Sequence, residues 1–161
     1  MCIRDSFKSV NDNHGHSVGD EVLKAMGSIL RDKLSEVGLV CRFGGEEFVV
    51  LVGSISMEQC VELAEELRIT IENTEICGIN ITASIGVSSK EFKPMDPQHM
   101  LDQADECLYN AKRSGRNRVI RYDQQVAIDE ADDKASKAEI APEEAEISYS
   151  CLLYTSDAAD E

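Results

Sequence analysis

Four stretches of this 161-residue sequence carry side chains that could do chemistry. Phe7-Lys8-Ser9-Val10-Asn11-Asp12 is followed closely by Gly15-His16-Ser17-Val18-Gly19-Asp20. Arg42-Phe43-Gly44-Gly45-Glu46-Glu47-Phe48 stands between two apolar runs, and Lys112-Arg113-Ser114-Gly115-Arg116 ends a later helical pattern. Asp5 lies just upstream of the first stretch. Glu46 and Glu47 are adjacent carboxylates that repel, and on a strand they would point to opposite faces. A purely solvated turn gains little from such a pair. A hard divalent cation such as Mg²⁺ takes one or two carboxylates together with substrate phosphates, so Glu46 and Glu47 beside side-chain-free Gly44 and Gly45 suit a metal holding a triphosphate. An exposed acidic surface turn is the plainer alternative.

Lys112 and Arg116 are four residues apart, one helical turn. At a helix C-terminus such cations complement the helix dipole; they could equally reach phosphates, lysine as a point charge and arginine in bidentate fashion. Asn11 and Asp20 could be cap and turn residues, Asp20 lying three after Ser17. They could also read guanine, whose N1 and 2-amino donors suit a carboxylate and whose O6 suits an amide. The pattern alone favours the cap. His14 and His16 flank Gly15 without a third nearby ligand, a weak metal signal, and read as turn and helix-start residues.

The elements that must position these groups follow from periodicity. Ser17 reads as an N-cap, with Val22, Leu23, Met26, Ile29, Leu30 and Leu34 forming an amphipathic helix to about Glu36. Leu39–Phe43, Gly44-Gly45 and Glu46–Val52 read as a β-hairpin with a tight turn, its glycines able to take positive φ. A second helix spans Met57 to about Asn73. Ile79–Val87 alternates as a half-buried strand. Asp96-Pro97 opens a third helix that Gly115 ends, and Arg118–Tyr122 forms a closing strand. Helix, hairpin, helix, strand, helix, strand predicts a mixed α/β (α+β) domain, a sheet with helices packed on it.

Composition narrows the function. Acidic residues number 31 against 16 basic, for a net charge of −15. Twelve of the acidic and two of the basic residues lie from Asp123 onward. Such a balance opposes nucleic-acid or anionic-membrane binding, and no apolar run approaches the roughly 20 residues of a membrane span. Six cysteines without a C-x-x-C pair read as buried thiols of a reducing, cytoplasmic protein. The expected organisation is a foreign leader over 1–6, one domain over 7–122, a disordered acidic tail over 123–149 and a foreign tail over 150–161.

Together the clusters resemble the GGDEF family of diguanylate cyclases. The resemblance rests on Phe-Lys-x-x-Asn-Asp-x-x-Gly-His-x-x-Gly-Asp at 7–20, Arg-Phe-Gly-Gly-Glu-Glu-Phe at 42–48, Ala-Ser-Ile-Gly-Val at 83–87 and Ala-Asp-x-x-Leu-Tyr-x-Ala-Lys-x-x-Gly-Arg-Asn at 104–117. It implies a palm-like nucleotidyl-cyclase sheet and condensation of two GTP into cyclic di-GMP, with release of two pyrophosphates, by a Mg²⁺- (or Mn²⁺-) dependent homodimer. It further implies that Glu46 ligates metal, that Glu47 is a second metal or catalytic carboxylate, and that Asp5 is a remaining metal ligand. Asn11 and Asp20 would read guanine, Lys112 and Arg116 would hold the β- and γ-phosphates, and Lys8 would assist. All these groups are then expected around one magnesium-bound purine triphosphate.

Two departures stand out. Ile3 replaces the first metal-binding Asp of the family pattern, and most of the strand leading into Phe7 is missing, so the fragment is expected to be inactive and poorly folded alone. Ser35-Glu36-Val37-Gly38 replaces the Arg-x-x-Asp of product inhibition, so feedback through that site is expected to be absent. The alternatives are a degenerate GGDEF domain that binds GTP or a protein without catalysis, and a structural domain with an acidic surface hairpin.

Overall fold

The computed structural model describes residues 5–124 and 146–152. The elements are α1 (Asp5–His14), α2 (His16–Leu34), β1 (Gly38–Arg42), β2 (Phe48–Val52), α3 (Met57–Glu72), β3 (Glu75–Ile76), β4 (Ile79–Asn80), β5 (Thr82–Ser88), α4 (Pro97–Arg113), β6 (Val119–Arg121) and β7 (Glu146–Leu152). The main sheet has the order β1-β2-β7-β5-β6, with β1–β2 antiparallel and every other pair parallel; β3 and β4 form a separate small hairpin.

Strand alternation sorts the core to the two faces of the sheet. Phe48, Val50 and Val52 of β2 join Met26 and Leu30 of α2 and Leu67 and Ile71 of α3 in one cluster. Val49 turns to the other face, against Met100 and Ala104 of α4. α4 is sharply built: the Asp96 carboxylate accepts from the His99 amide at 2.7 Å, and Pro97 opens the first turn. Ser56 and Gln59 bond reciprocally to start α3.

Several expectations change. Residues 5–14 form a helix whose Phe7 and Val10 are buried, although the sequence reads there as the stump of a strand and a turn. Gly15, not Ser17, stands at the N-cap of α2, with φ 84° and no side-chain cap. The strand expected at 79–87 is broken at Ile81, and β5 is buried along its whole length because α3 and α4 cover both of its faces.

Residues 146–152, placed by the sequence in the disordered and foreign tails, form β7 at the centre of the sheet. Its neighbours β2 and β5 present backbone donors and acceptors that must be paired, and β7 pairs with both in parallel register. The alternation of Ile147, Tyr149 and Cys151 is the strand signal that composition hid. Residues 1–4, 125–145 and 153–161, with the remaining leader and tail expectations, lie outside the described residues.

Cysteines among the described residues divide. Cys60 and Cys107 are buried, and burial pushes each thiol up to about 12, whereas Cys41 and Cys77 are exposed. Only thiolates alkylate readily. Peptide mapping after iodoacetamide at neutral pH is expected to find Cys41 and Cys77 modified and Cys60 and Cys107 intact until denaturant is added. The buried pair also sets an alkaline limit: thiols held protonated in the fold favour folding below the ordinary thiol pKa, and that contribution fades as pH climbs from about 9 towards 12.

Candidate active site

The signature hairpin is wider than a two-residue turn. Arg42 pairs with Phe48, leaving Phe43–Glu47 as the loop, and the Phe43 and Gly44 amides both donate to the Glu47 carbonyl at 2.8 and 3.3 Å. Neither Gly44 nor Gly45 takes positive φ. Their smallness matters for a different reason. A Cβ on Gly44 would meet Glu47 Oε2 at 2.7 Å, whereas one on Gly45 would meet nothing within 4 Å. Gly44 therefore makes room for the Glu47 carboxylate, and Gly45 leaves the tip open. Arg42 braces the bend, its Nε and Nη2 donating to the Gly45 carbonyl at 3.0 and 2.6 Å. Glu46 and Glu47 are half-buried, and Glu46 Oε1 is shielded from solvent.

Neither Asn11 nor Asp20 caps α2. Asn11 lies within α1, its carbonyl receiving the Gly15 amide at 2.8 Å, and Asp20 is exposed in the second turn of α2. The capping explanation of the pair falls. α1 and α2 meet at Gly19, which is buried, and a Cβ there would drive into Asn11 Oδ1 and come within 3.1 Å of Phe7 Cζ. That close approach sets the Asn11 amide beside the residue preceding Asp20. From Asp20 a stripe runs along α2 through Leu23, Lys24, Gly27, Ser28 and Arg31. With Arg42 and Phe48, at either end of the signature loop, it lines an open cavity of about 410 Å³.

The basic couple is arranged differently from the expected helix end. Lys112 is half-buried in the last turn of α4, but the helix stops at Arg113, and Arg116 follows in a loop with φ 58°. Neither residue lines the cavity. Strand register nevertheless relates the loop to the hairpin. Phe48, Tyr149, Ile85 and Val119 form one row across β2, β7, β5 and β6. Because these strands are parallel, Gly44–Glu47 and Arg116–Arg118 lie beyond the same end of the sheet, three strand spacings or roughly 14 Å apart. α2 runs antiparallel to β1 through the short 35–37 turn, which brings Asp20 towards that same end.

The side chains of Lys8 and Asp5 lie outside the described residues, as does Ile3. Among the described residues no group of three or more His, Cys, Asp or Glu side chains could hold a metal ion. The donors present, Glu46 and Glu47, are hard oxygen ligands that fit the mode in which Mg²⁺ is held by one or two carboxylates and completed by phosphates and water. Sequence reading missed Leu23, Ser28, Arg31, Arg42 and Phe48 as cavity walls. Only the spacing of Leu23, Gly27 and Arg31 along the helix face that carries Asp20 could have pointed to them.

Residues 1–118 match the family described as "Diguanylate cyclase, GGDEF domain". The chain belongs to the GGDEF family. This GGDEF chain is 38% identical over 122 residues to the response regulator PleD of Caulobacter vibrioides, an alignment covering 72% of the chain and 27% of PleD. It is 40% identical over 117 residues to diguanylate cyclase DgcM of Escherichia coli, covering 72% and 28% respectively. It thus spans less than a third of the length of these curated relatives. Among solved structures it resembles the active GGEEF domain of a diguanylate cyclase from Vibrio cholerae, with a TM-score of 0.53, 26% identity and coverage of 73% of this chain and 77% of that one. The mixed helix-and-strand architecture with a small open sheet is that of GGDEF domains, and no helix among the described residues is long and apolar enough to cross a membrane.

Proposed function

We propose that the protein carrying this chain is a cytoplasmic diguanylate cyclase that condenses two GTP into cyclic di-GMP and releases two pyrophosphates. The observation that carries the reading is the placement of the Gly-Gly-Glu-Glu-Phe hairpin, the Asp20-lined cavity and the Lys112/Arg116 stretch towards one end of a single sheet. Asn11 and Asp20 bind and orient the guanine edge, Leu23 and Phe48 give the base apolar walls, and Lys112, Arg116 and Lys8 hold the phosphates. Gly45 keeps the tip clear for the triphosphate. Glu46 and Glu47, with Asp5, would hold Mg²⁺ or Mn²⁺, which when bound lowers the pKa of the attacking 3′-hydroxyl and offsets charge on the leaving pyrophosphate. One site positions one GTP, so the reaction calls for a homodimer whose two sites face each other.

Ile3 in place of the metal-binding Asp supports a second reading for the chain as it stands: nucleotide binding with little turnover. Calorimetric titration with GTP in the presence and absence of Mg²⁺, alongside chromatography for cyclic di-GMP, tests both. Mg²⁺-dependent GTP binding is expected, with Glu46→Gln weakening it about tenfold, as loss of one charge-assisted contact does. Product formation is expected to be low, because Ile3 stands where the family pattern has a metal-binding Asp. No heat with Mg·GTP would overturn the nucleotide reading and leave a structural domain. Product inhibition through residues 35–38 is expected to be absent, since Ser35 and Gly38 offer no charged side chains.

A further inference from the structure

The loop that carries Arg116 is held in an unusual way. Gly115, Arg116 and Asn117 all have positive φ, at 110°, 58° and 46°. Glycine adopts such angles freely and asparagine tolerates them, but an arginine there is strained and persists only where its surroundings hold it. The restraint comes from α3, far away in sequence. The Asn117 amide is gripped at both ends: its Nδ2 donates to Glu72 Oε1 at 2.7 Å, and its Oδ1 accepts from Arg68 Nη1 at 2.8 Å. Arg68 is mostly buried and is itself fixed, Nη1 donating to Glu72 Oε2 at 2.9 Å and Nε to Glu65 Oε2 at 2.8 Å. The Asn117 and Arg68 hydrogen bonds keep the Glu72 carboxyl below its usual range, so it stays ionised at neutral pH.

The backbone is stitched from the other side. The Arg116 amide donates to the Ala111 carbonyl at 2.9 Å, and Arg118 Nε donates to the Arg116 carbonyl at 2.9 Å. This cluster holds a strained arginine within a crowded basic stretch of Lys112, Arg113, Arg116 and Arg118, whose like charges would otherwise spread the loop. A merely structural turn at the end of α4 would gain nothing from placing arginine, rather than asparagine or glycine, at the second left-handed position.

We propose that Arg68, Glu72 and Asn117 are positioning residues that fix Arg116 in the left-handed conformation from which its guanidinium meets the nucleotide's β- and γ-phosphates; this rests on the nucleotide reading above. The clamp acts on the phosphate end alone, so its loss is separable from loss of the fold. The test is calorimetry on the full chain with Mg·GTP and with GMP, which carries the base but neither of those phosphates. Asn117→Gly keeps a backbone suited to positive φ while removing the amide, and Glu72→Ala removes the α3 half. Each is expected to weaken Mg·GTP about tenfold, as loss of an aligned charge-assisted contact does, and to leave GMP unchanged. Glu72→Gln, which still offers an oxygen to Asn117, is expected to regain most of the GTP affinity. Variants that bind GTP as the parent does, or that lose GTP and GMP equally, would overturn the clamp. A parent chain that binds neither nucleotide would remove the nucleotide reading and the clamp with it.

Discussion

Alanine at Gly86 is expected to destabilise the domain by about 3 kcal/mol, lowering the melting temperature by about 10 °C. Gly86 sits in β5, where α4 crosses so closely that a Cβ would collide with the Ala104 carbonyl oxygen and come within 2.5 Å of the Leu108 amide nitrogen. Both obstacles are backbone atoms of a well-capped helix, so no rotamer change relieves the clash. Either α4 must lift away, opening the layer formed by Met100, Ala104 and Val49, or β5 must bend out of register with its neighbours. The gain in β-strand preference of alanine over glycine is about 0.5–1 kcal/mol and cannot offset this. Urea unfolding followed by circular dichroism checks it; a midpoint equal to that of the parent would mean that the helix and strand do not approach so closely.

Alanine at Gly19 is expected to do the reverse, sparing the fold and spoiling the site. Here the obstacles are the Asn11 amide and the edge of the Phe7 ring, both side chains that can swing aside. Alanine also favours the helix by about 1 kcal/mol over glycine, which offsets much of the crowding. What is lost is the direction of the Asn11 amide beside Asp20. A site built to hydrogen-bond a ligand rejects analogues strongly because mismatched polar groups are left unpaired. The preference for Mg·GTP over Mg·ATP is therefore expected to fall roughly 30-fold, at one to three kcal/mol per buried hydrogen bond. Competition titrations with the two nucleotides, and a thermal melt within about 2 °C of the parent, would together establish this. An unchanged preference would show that Asn11 does not read the base.

The contrast between these glycines marks what sequence could and could not reveal. The helices of residues 16–34, 57–72 and 97–113 were legible because the apolar residues of each recur with helical spacing and are buried, Leu30, Ile71 and Met100 among them. α1 was not, because Phe7 and Val10 are its only large apolar residues; it is helical by packing against α2 rather than by its own pattern. The hairpin was legible from two apolar runs around Gly-Gly, but its five-residue loop was not, since Gly44 serves a side-chain clearance and not a turn angle. Among the candidate site residues, Asp20 and Glu47 stand out by motif. Ser28 and Arg31 read as an ordinary solvated helix face until the hairpin was laid across it. Arg68 and Glu72 were invisible for a similar reason: an i,i+4 pair on α3 looks like surface decoration until Asn117, 45 residues beyond Glu72, completes it.

The strand at the middle of the sheet has a consequence for how the molecule comes into being. β7 pairs Phe48 with Tyr149 and Thr82 with Glu146, so among the described residues the two halves of the sheet are bridged by a segment that comes much later in the chain than either β2 or β5. During synthesis β2 and β5 leave the ribosome long before their shared neighbour exists, and each waits with an open hydrogen-bonding edge. Such long-range closure is slow, and nascent chains in that interval offer one another the very pairing that the late strand will supply. Yield of the native protein should therefore depend on concentration and translation speed more than on the stability of the finished fold.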